Sequence, residues 1–248
     1  MRARQVTGME EQLETLQKWI DECRKIVFFT GAGVSTDSGI PDFRSQDGLY
    51  NQQYKYPPEQ IISHSFFENN PEEFYRFYKD KMLCLDARPN YTHEFMAKLE
   101  AKGKSLGVVT QNIDGLHQKA GSKHVYELHG SVLRNYCMDC GKPYSAEYVK
   151  NADGVPHCSC GGIIKPDVVL YEEALNEEVV EGAVHAIVSA DVLIVLGTSL
   201  VVYPAAGLIR YYRGDRLVLI NRSTTPYDRS ANLLIQASFR DVLPKIRL

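Results

Sequence analysis

The chain has 248 residues, 44% of them hydrophobic and 24% charged, with a formal net charge of -3. That is enough apolar material for one large core or a core with a satellite, and the charge balance gives no reason to expect a nucleic-acid surface. No stretch approaches twenty consecutive apolar residues and the N-terminal MRARQVTGMEEQLE has no apolar leader, so the expectation is a cytoplasmic protein with neither membrane span nor secretory signal.

Leu13, Leu16, Trp19, Ile20 and Cys23 recur at helical spacing, predicting an amphipathic helix over roughly 10 to 23 that leads into a strand from Lys25 to Thr30. The buried run Ile26-Val27-Phe28-Phe29 passes directly into Gly31 to Arg44, GAGVSTDSGIPDFR. A strand entering a glycine turn points to a phosphate, because Gly31 and Gly33 can take backbone angles closed to other residues and let main-chain N–H groups approach an anion. As a dinucleotide fingerprint it is incomplete: Thr36 stands where the third glycine of GxGxxG would be, and no acidic residue ends a second strand some twenty positions on.

Residues 45 to 95 are rich in Tyr, Phe, Asn and Pro, with short helical stretches such as Glu72 to Leu83 and no obvious strand. Too long for an ordinary βα loop, this stretch reads as an inserted helical module. Strand and helix alternation resumes at Gly107 to Thr110, then at Ala190 to Gly197 and Arg216 to Asn221. Continuous apolar strands of this kind belong to a parallel sheet buried on both faces. A second insertion, 134 to 164, holds the clustered cysteines. The predicted fold is α/β: a Rossmann-like parallel-sheet domain (1-45, 96-133 and 165-248) with a smaller domain made of a helical module (46-95) and a zinc module (134-164).

Cys137 and Cys140 form CxxC, and after seventeen residues Cys158 and Cys160 form CxC, with Gly141, Gly161 and Gly162 beside them. Four thiolates on two knuckle turns make a tetrahedral zinc site, structural because no position is left for water or substrate. Cys23 falls on the apolar helix face and reads as core; Cys84 carries no signal.

Thr110-Gln111-Asn112-Ile113-Asp114-Gly115-Leu116-His117 begins at a predicted strand end, where open α/β sheets bind ligands. Its two amides and a carboxylate suit a ligand with hydroxyls and a carboxamide; equally, Asp114 would be a fair helix N-cap. His129, in Glu127-Leu128-His129-Gly130, lies at a module boundary with the near-neutral pKa that a general base for a hydroxyl needs. His64, His93, His124, His157 and His185 read as ordinary core or surface residues, and His117 stays open between the two readings. Gly197-Thr198-Ser199 and Asn221-Arg222-Ser223 follow two further strands, so four strand ends carry polar or glycine turns and outline one crevice.

GAGVSTDSGIPDFR, TQNIDGLH, ELHG, the CxxC and CxC pair, KPDVVLYEE, GTSLVVYPAA and LINRS occur in that order. In this combination the chain resembles the sirtuins, NAD-dependent protein-lysine deacylases, from about Ile26 to Asn221, and its short flanks resemble a prokaryotic-type member. The resemblance implies a large dinucleotide-binding domain and a small domain, with both substrates meeting between them. It implies NAD contacts from Ala32, Gly33, Thr36, Asp42, Phe43 and Arg44, with Arg44 near the phosphates and Phe43 shielding the reacting ribose. Gln111 and Asn112 would hold the nicotinamide ribose, Ile113 and Asp114 the carboxamide, and Thr198, Ser199 and Asn221 the phosphate and adenosine end. His129 would be the general base.

NAD would be consumed: nicotinamide leaves as the acetyl-lysine oxygen attacks the ribose, a ribose hydroxyl then attacks the imidate carbon, water finishes the exchange, and the products are free lysine, O-acetyl-ADP-ribose and nicotinamide. The acetyl-lysine peptide would lie as an added strand along Val168, Val169, Leu170 and Tyr171, where Leu170 replaces a usual aromatic and Glu172 a usual glycine. Members that remove acidic acyl groups carry Tyr-x-x-Arg; the matching positions here are Tyr75 and Tyr78, and Arg76 points about 100° away from Tyr75. With no buried cation a succinyl carboxylate would be desolvated unpaired, so acetyl is expected over succinyl. The rival expectations are ADP-ribose transfer to a protein side chain, a nonenzymatic zinc ribbon, which the charge balance disfavours, and a dehydrogenase, which the imperfect fingerprint disfavours.

Overall fold

A computed structural model describes residues 8–44, 48–51 and 54–248. Residues 1–7 and two pieces of the expected helical module, 45–47 and 52–53, lie outside the described residues. Helix α1 (Met9–Glu22) leads into strand β1 (Ile26–Thr30), as the apolar periodicity predicts. A 3-10 helix (Ala32–Ser38) follows. The helical insertion supplies α2 (Pro58–Ile61), α3 (His64–Asn69) and α4 (Pro71–Phe77), and α4 runs on through a π-helical turn (Tyr78–Met82). Helix α5 (Tyr91–Ala101) is started by Asn90, whose side chain accepts from Thr92 N–H while His93 Nδ1 accepts from Asn90 N–H.

Strands β2 (Ser105–Thr110) and β3 (Val125–Glu127) flank the one-turn helix α6 (Leu116–Lys119). Next come β4 (Gly130–Cys137), β5 (Pro143–Tyr144), α7 (Ala146–Asn151) and β6 (Ile164–Val168). The chain ends with α8 (Glu177–Ser189), β7 (Val192–Leu196), a 3-10 helix (Ala205–Tyr211), β8 (Leu217–Ile220), β9 (Leu233–Ile235) and α9 (Phe239–Val242).

Six strands form a parallel sheet in the order β3-β2-β1-β7-β8-β9. In chain order this is 3-2-1-4-5-6, the doubly wound order whose switch point lies between β1 and β7. Strand side chains alternate between faces. Ile26 and Phe28 therefore join a layer with Leu16 and Ile20 of α1 and Phe95, Met96 and Leu99 of α5. Val27 and Phe29 join the opposite layer with Ala183, Ala186 and Ile187 of α8. Strands β3 and β9, at the two sheet edges, have three residues each, too few for a periodic signal, and sequence reading does not find them.

A second, three-stranded sheet, β5-β4-β6, is antiparallel. Its Val132, Ile164 and Val168 share a separate core with Phe66, Phe67, Phe74, Tyr75 and Tyr78 of the helical insertion and with Val149 of α7. Each buried aromatic or aliphatic side chain contributes about 1.5–3 kcal/mol, so the two insertions stabilise one another as one body. Its packing limits differ from the expected boundaries. Helix α5 belongs to the large-sheet core, whereas the expected helical module extends to residue 95, and β4 and β6 extend the small sheet to residues 130 and 168 beyond 134-164. Only Leu128 and His129 separate β3 of the large sheet from β4 of the small one.

Candidate active site and metal centre

The two glycine turns meet at the switch point. Gly31 N–H donates to Leu196 O at 3.2 Å and Gly33 N–H to Gly197 O at 2.9 Å. A Cβ on Gly33 would stand 2.8 Å from Gly197 O and 2.9 Å from Gly197 Cα, and one on Gly31 would stand 2.7 Å from Thr198 Cβ. Neither residue has a positive φ. The expectation that these glycines supply unusual backbone angles and N–H groups for an anion is therefore corrected: they let the β1 and β7 turns touch, and both N–H groups are spent doing so. Thr36 is exposed, and its hydroxyl caps Gly33 O at 2.9 Å. Ala32 is half-buried in the same turn.

The residue pointing inward is Ser35, which sequence reading passed over for Thr36. Ser35 is 1% exposed, donates to Asp114 Oδ2 at 2.6 Å and accepts from Asn112 Nδ2 at 3.1 Å. His93 Nε2 lies 3.5 Å from the same oxygen. Since His93 Nδ1 already accepts from Asn90, its proton is on Nε2. Asp114 Oδ1 accepts from Leu116 N–H at 2.9 Å, so the carboxylate is oriented from both sides. Asp114 is not the N-cap; Gly115, with φ 72, holds that position. Ile113 carries the backbone onward, its carbonyl accepting from Val132 N–H of β4 at 3.0 Å.

Gln111 joins the end of β2 to the end of β7: its Oε1 accepts from Thr198 Oγ1 at 2.7 Å. Asn221, after β8, donates through Nδ2 to Thr198 O at 3.3 Å. Ser199 is half-buried beside them. The site residues expected from β1, β2, β7 and β8 are thus brought together at one edge of the sheet. Asp42, Phe43 and Arg44 form a separate wall, in which the Phe43 and Tyr50 ring centroids lie 5.4 Å apart and the Arg44 guanidinium stands 5.0 Å over Tyr50.

His129 occupies the link between the two sheets. Its Nδ1 lies 3.0 Å from Gln111 O. A carbonyl only accepts, so Nδ1 carries the proton and Nε2 keeps its lone pair, the tautomer of a base. Burial lowers its pKa from 6.5, partly offset by the Gln111 carbonyl. Gly130 follows with φ 74, and a Cβ there would run into Asp167 O, which accounts for the glycine after the histidine.

Three expected peptide-side residues are tied into the fold. Val168 pairs with Gly130 in the small sheet, Val169 N–H donates to His129 O at 3.0 Å, and Leu170, 3% exposed, donates its N–H to Glu173 Oε2 at 2.9 Å. Glu172 has φ 75, the angle that makes glycine usual at this position, and its carboxylate takes Ser65 N–H at 2.8 Å. Tyr75 and Tyr78 do not reach the crevice edge as open side chains. Both are buried in the small core, where Tyr75 donates to Ile164 O and the Tyr78 hydroxyl has no partner among the described residues.

The sulfur atoms of Cys137, Cys140, Cys158 and Cys160 all lie within 4.8 Å of one another, with nearest separations of 3.5 and 3.6 Å. A tetrahedral ion with Zn–S bonds of about 2.3 Å needs S–S edges of about 3.8 Å. Gly162 leaves room for the cluster, since a Cβ there would stand 2.8 Å from Cys137 Sγ. The four cysteines are positioned to bind one zinc ion. Seven strand steps of β4 separate Cys137 from Gly130, roughly 20 Å, so a zinc ion there would lie far from His129.

The Sir2 family model matches residues 31–204. The NAD-dependent protein deacetylase of Clostridium acetobutylicum is 57% identical over 240 residues, 95% of this chain and 98% of its own length. That of Staphylococcus aureus strain N315 is 48% identical over 96% of this chain and 99% of its own. Among solved structures, a Sir2 with a deacetylated p53 peptide and 3'-O-acetyl-ADP-ribose superposes with a TM-score of 0.87 at 41% identity, covering 94% of this chain and 96% of that one. A Sir2 complex with p53 peptide and NAD gives 0.82 at 41% identity, covering 94% and 98%. The glycine contact at the switch point, the strand-end amides and the cysteine cluster thus lie in a chain that matches these relatives over almost its whole length, and the chain belongs to the Sir2 family.

Proposed function

We propose that the protein is an NAD-dependent protein-lysine deacetylase whose large and small domains, divided as the two sheets and three cores divide them, bind NAD and acyl-lysine between them. The single observation that carries this reading is His129, held by Gln111 O with its Nε2 lone pair available at the junction of the two sheets. The relatives are named NAD-dependent protein deacetylases, and a Sir2 neighbour holds a p53 peptide with NAD. Bound NAD would supply a ribose carbon that accepts the acyl oxygen as nicotinamide departs, so that the acetyl group ends on ADP-ribose.

The chain's own residues do the rest. Gln111 and Asn112 orient the ribose hydroxyls, Asp114 and the Ile113 backbone take the carboxamide, and Thr198, Ser199 and Asn221 take the far end of the dinucleotide. Arg44, exposed at the wall, faces the phosphates, with Ala32, Gly33 and Thr36 shaping the turn beneath and Asp42 and Phe43 closing it. His129 Nε2 takes a proton from a ribose hydroxyl. The peptide lies along Val168 to Tyr171, where the N–H groups of Val169, Leu170 and Tyr171 are already spent inside the protein, so the peptide contributes the donors and this segment the carbonyls, those of Leu170 and Tyr171 through their second lone pairs because they already accept from Glu173 and His64 N–H.

Acetyl is preferred over succinyl because the cations on the helix carrying Tyr75 and Tyr78 are committed elsewhere. Arg76 is exposed and pairs with Glu73, Lys79 Nζ donates to Ala152 O and Gly154 O, and Lys81 pairs with Asp80. A cytoplasmic location belongs to the same proposal; among the described residues no helix is long and apolar enough to cross a membrane.

Mass spectrometry of an acetyl-lysine peptide incubated with the protein, with and without NAD, tests this beside a His129→Ala variant. Loss of acetyl only with NAD and intact His129, together with O-acetyl-ADP-ribose, is expected, as is a slower reaction on a succinyl peptide. A protein that binds zinc and NAD yet leaves the acetyl group in place would overturn the activity, and equal acetyl and succinyl rates would overturn the preference.

A further inference from the structure

His117 is 1% exposed, and the mechanism above makes no use of it. Its Nε2 lies 3.0 Å from Thr30 Oγ1, while its Nδ1 has no hydrogen-bond partner among the described residues. Thr30 Oγ1 donates to Thr110 Oγ1 at 2.8 Å, and Thr110 Oγ1 also accepts from the Asn112 backbone N–H at 3.0 Å. Because the Thr30 proton is used toward Thr110, His117 must supply the proton in its own contact. That places N–H on Nε2 and leaves a lone pair, less costly to bury than an N–H, on Nδ1. The His93 ring packs edge-on with its centroid 4.9 Å away, and His93 in turn faces Ser35, the acceptor of the Asn112 side chain.

Asn112 is therefore gripped twice. Its side chain is held by Ser35, backed by His93, and its backbone is held by the two threonines, backed by His117. Thr30 and Thr110 are the last residues of β1 and β2 and are register partners. Valine in either place would suit a strand as well, so the hydroxyls have another purpose than forming the sheet. We propose that His117 is a positioning residue that fixes Asn112 against the ribose through the Thr30–Thr110 hydroxyl relay. This rests on the reading that the crevice binds NAD. A displacement of a few tenths of an ångström at Asn112 acts on the geometry of the reacting complex more than on peptide binding.

The test compares His117→Phe, which keeps a ring against His93 but donates nothing, with His117→Gln, whose Nε2 can reach the position of the imidazole Nε2. The readouts are steady-state nicotinamide release and the Asn112 amide resonance in 15N-labelled protein. His117→Phe is expected to lower kcat about tenfold with the KM for acetyl peptide unchanged and to shift the Asn112 amide, and His117→Gln to restore most of both. Unchanged kcat and an unmoved amide in folded His117→Phe would overturn the proposal, as would equal loss in the two variants. If His117→Phe does not fold, Thr30→Val cuts the same relay at matched volume, with the same expected losses and the same overturning result. A wild-type protein that releases no nicotinamide would sink the deacetylase reading instead, and the Asn112 resonance would still decide whether His117 holds that residue.

Discussion

Replacing Gly33 by alanine isolates the close approach on which the nucleotide edge is built. The new Cβ would stand 2.8 Å from Gly197 O and 2.9 Å from Gly197 Cα, against an ordinary contact distance of 3.4 Å or more. Both obstacles are backbone atoms, and the Gly33 N–H bond to Gly197 O ties the same two segments, so neither turn can swing aside without losing it. One effect favours the substitution: Gly33 does not need a positive φ, and alanine removes unfolded-state freedom worth about 0.4–1 kcal/mol. Against it stand an overpacking cost of about 1–3 kcal/mol and a weakened hydrogen bond worth about 1 kcal/mol. The steric side wins by about 1–3 kcal/mol, and at about 2–4 °C per kcal/mol for a chain of this size the melting temperature should fall by roughly 2–12 °C. Ser35 lies two residues on, so the KM for NAD should rise as well. A thermal melt followed by circular dichroism, paired with nicotinamide-release kinetics, measures both. Gly39→Ala is the control: nothing among the described residues lies within 4 Å of its Cβ, but φ is 82, so it should lose about 1 kcal/mol without changing the KM for NAD. Unchanged stability and NAD affinity in Gly33→Ala would refute the close-approach argument.

Two further outcomes concern metal and protons. Removing zinc with a chelator, or replacing Cys158 by serine, should release one ion per chain and cost several kcal/mol of stability, because the ion ties β4 to the loop before β6; a thiol titration and melt in parallel would show it, and an unchanged melt would contradict a structural role. In the folded chain burial and the neighbouring His93 lower the His117 pKa from 6.5 to about 3. Between these values the unfolded chain binds a proton that the native one refuses, so stability must fall as pH falls. From pH 6.5 to 5 this amounts to about 2 kcal/mol at about 1.4 kcal/mol per pH unit, and His117→Gln should flatten that part of a urea-denaturation profile.

The family resemblance, the fold class and the metal ligands were legible in the sequence because they rest on local facts. Continuous apolar runs at 26–29, 190–197 and 216–221 have to be strands buried on both faces, and four cysteines in two knuckles have few other uses. Strands β3 and β9 left no such trace, since three residues pair into a sheet only because a longer neighbour is already there. The roles of the glycines also depended on distance: only the meeting of the β1 and β7 turns shows that Gly31 and Gly33 make room for backbone rather than bend it. Ser35 and Thr36 are adjacent hydroxyl residues that sequence cannot rank, and the 3-10 turn alone decides that the first faces Asp114 and Asn112 while the second faces solvent. In the sequence His93 reads as an ordinary core or surface residue and His117 stays open between that and a functional role; in the fold both are buried. Their meaning comes from which buried oxygens they meet across 58 and 87 residues of chain, a relation set by tertiary packing and by the cost of leaving a buried polar group without a partner.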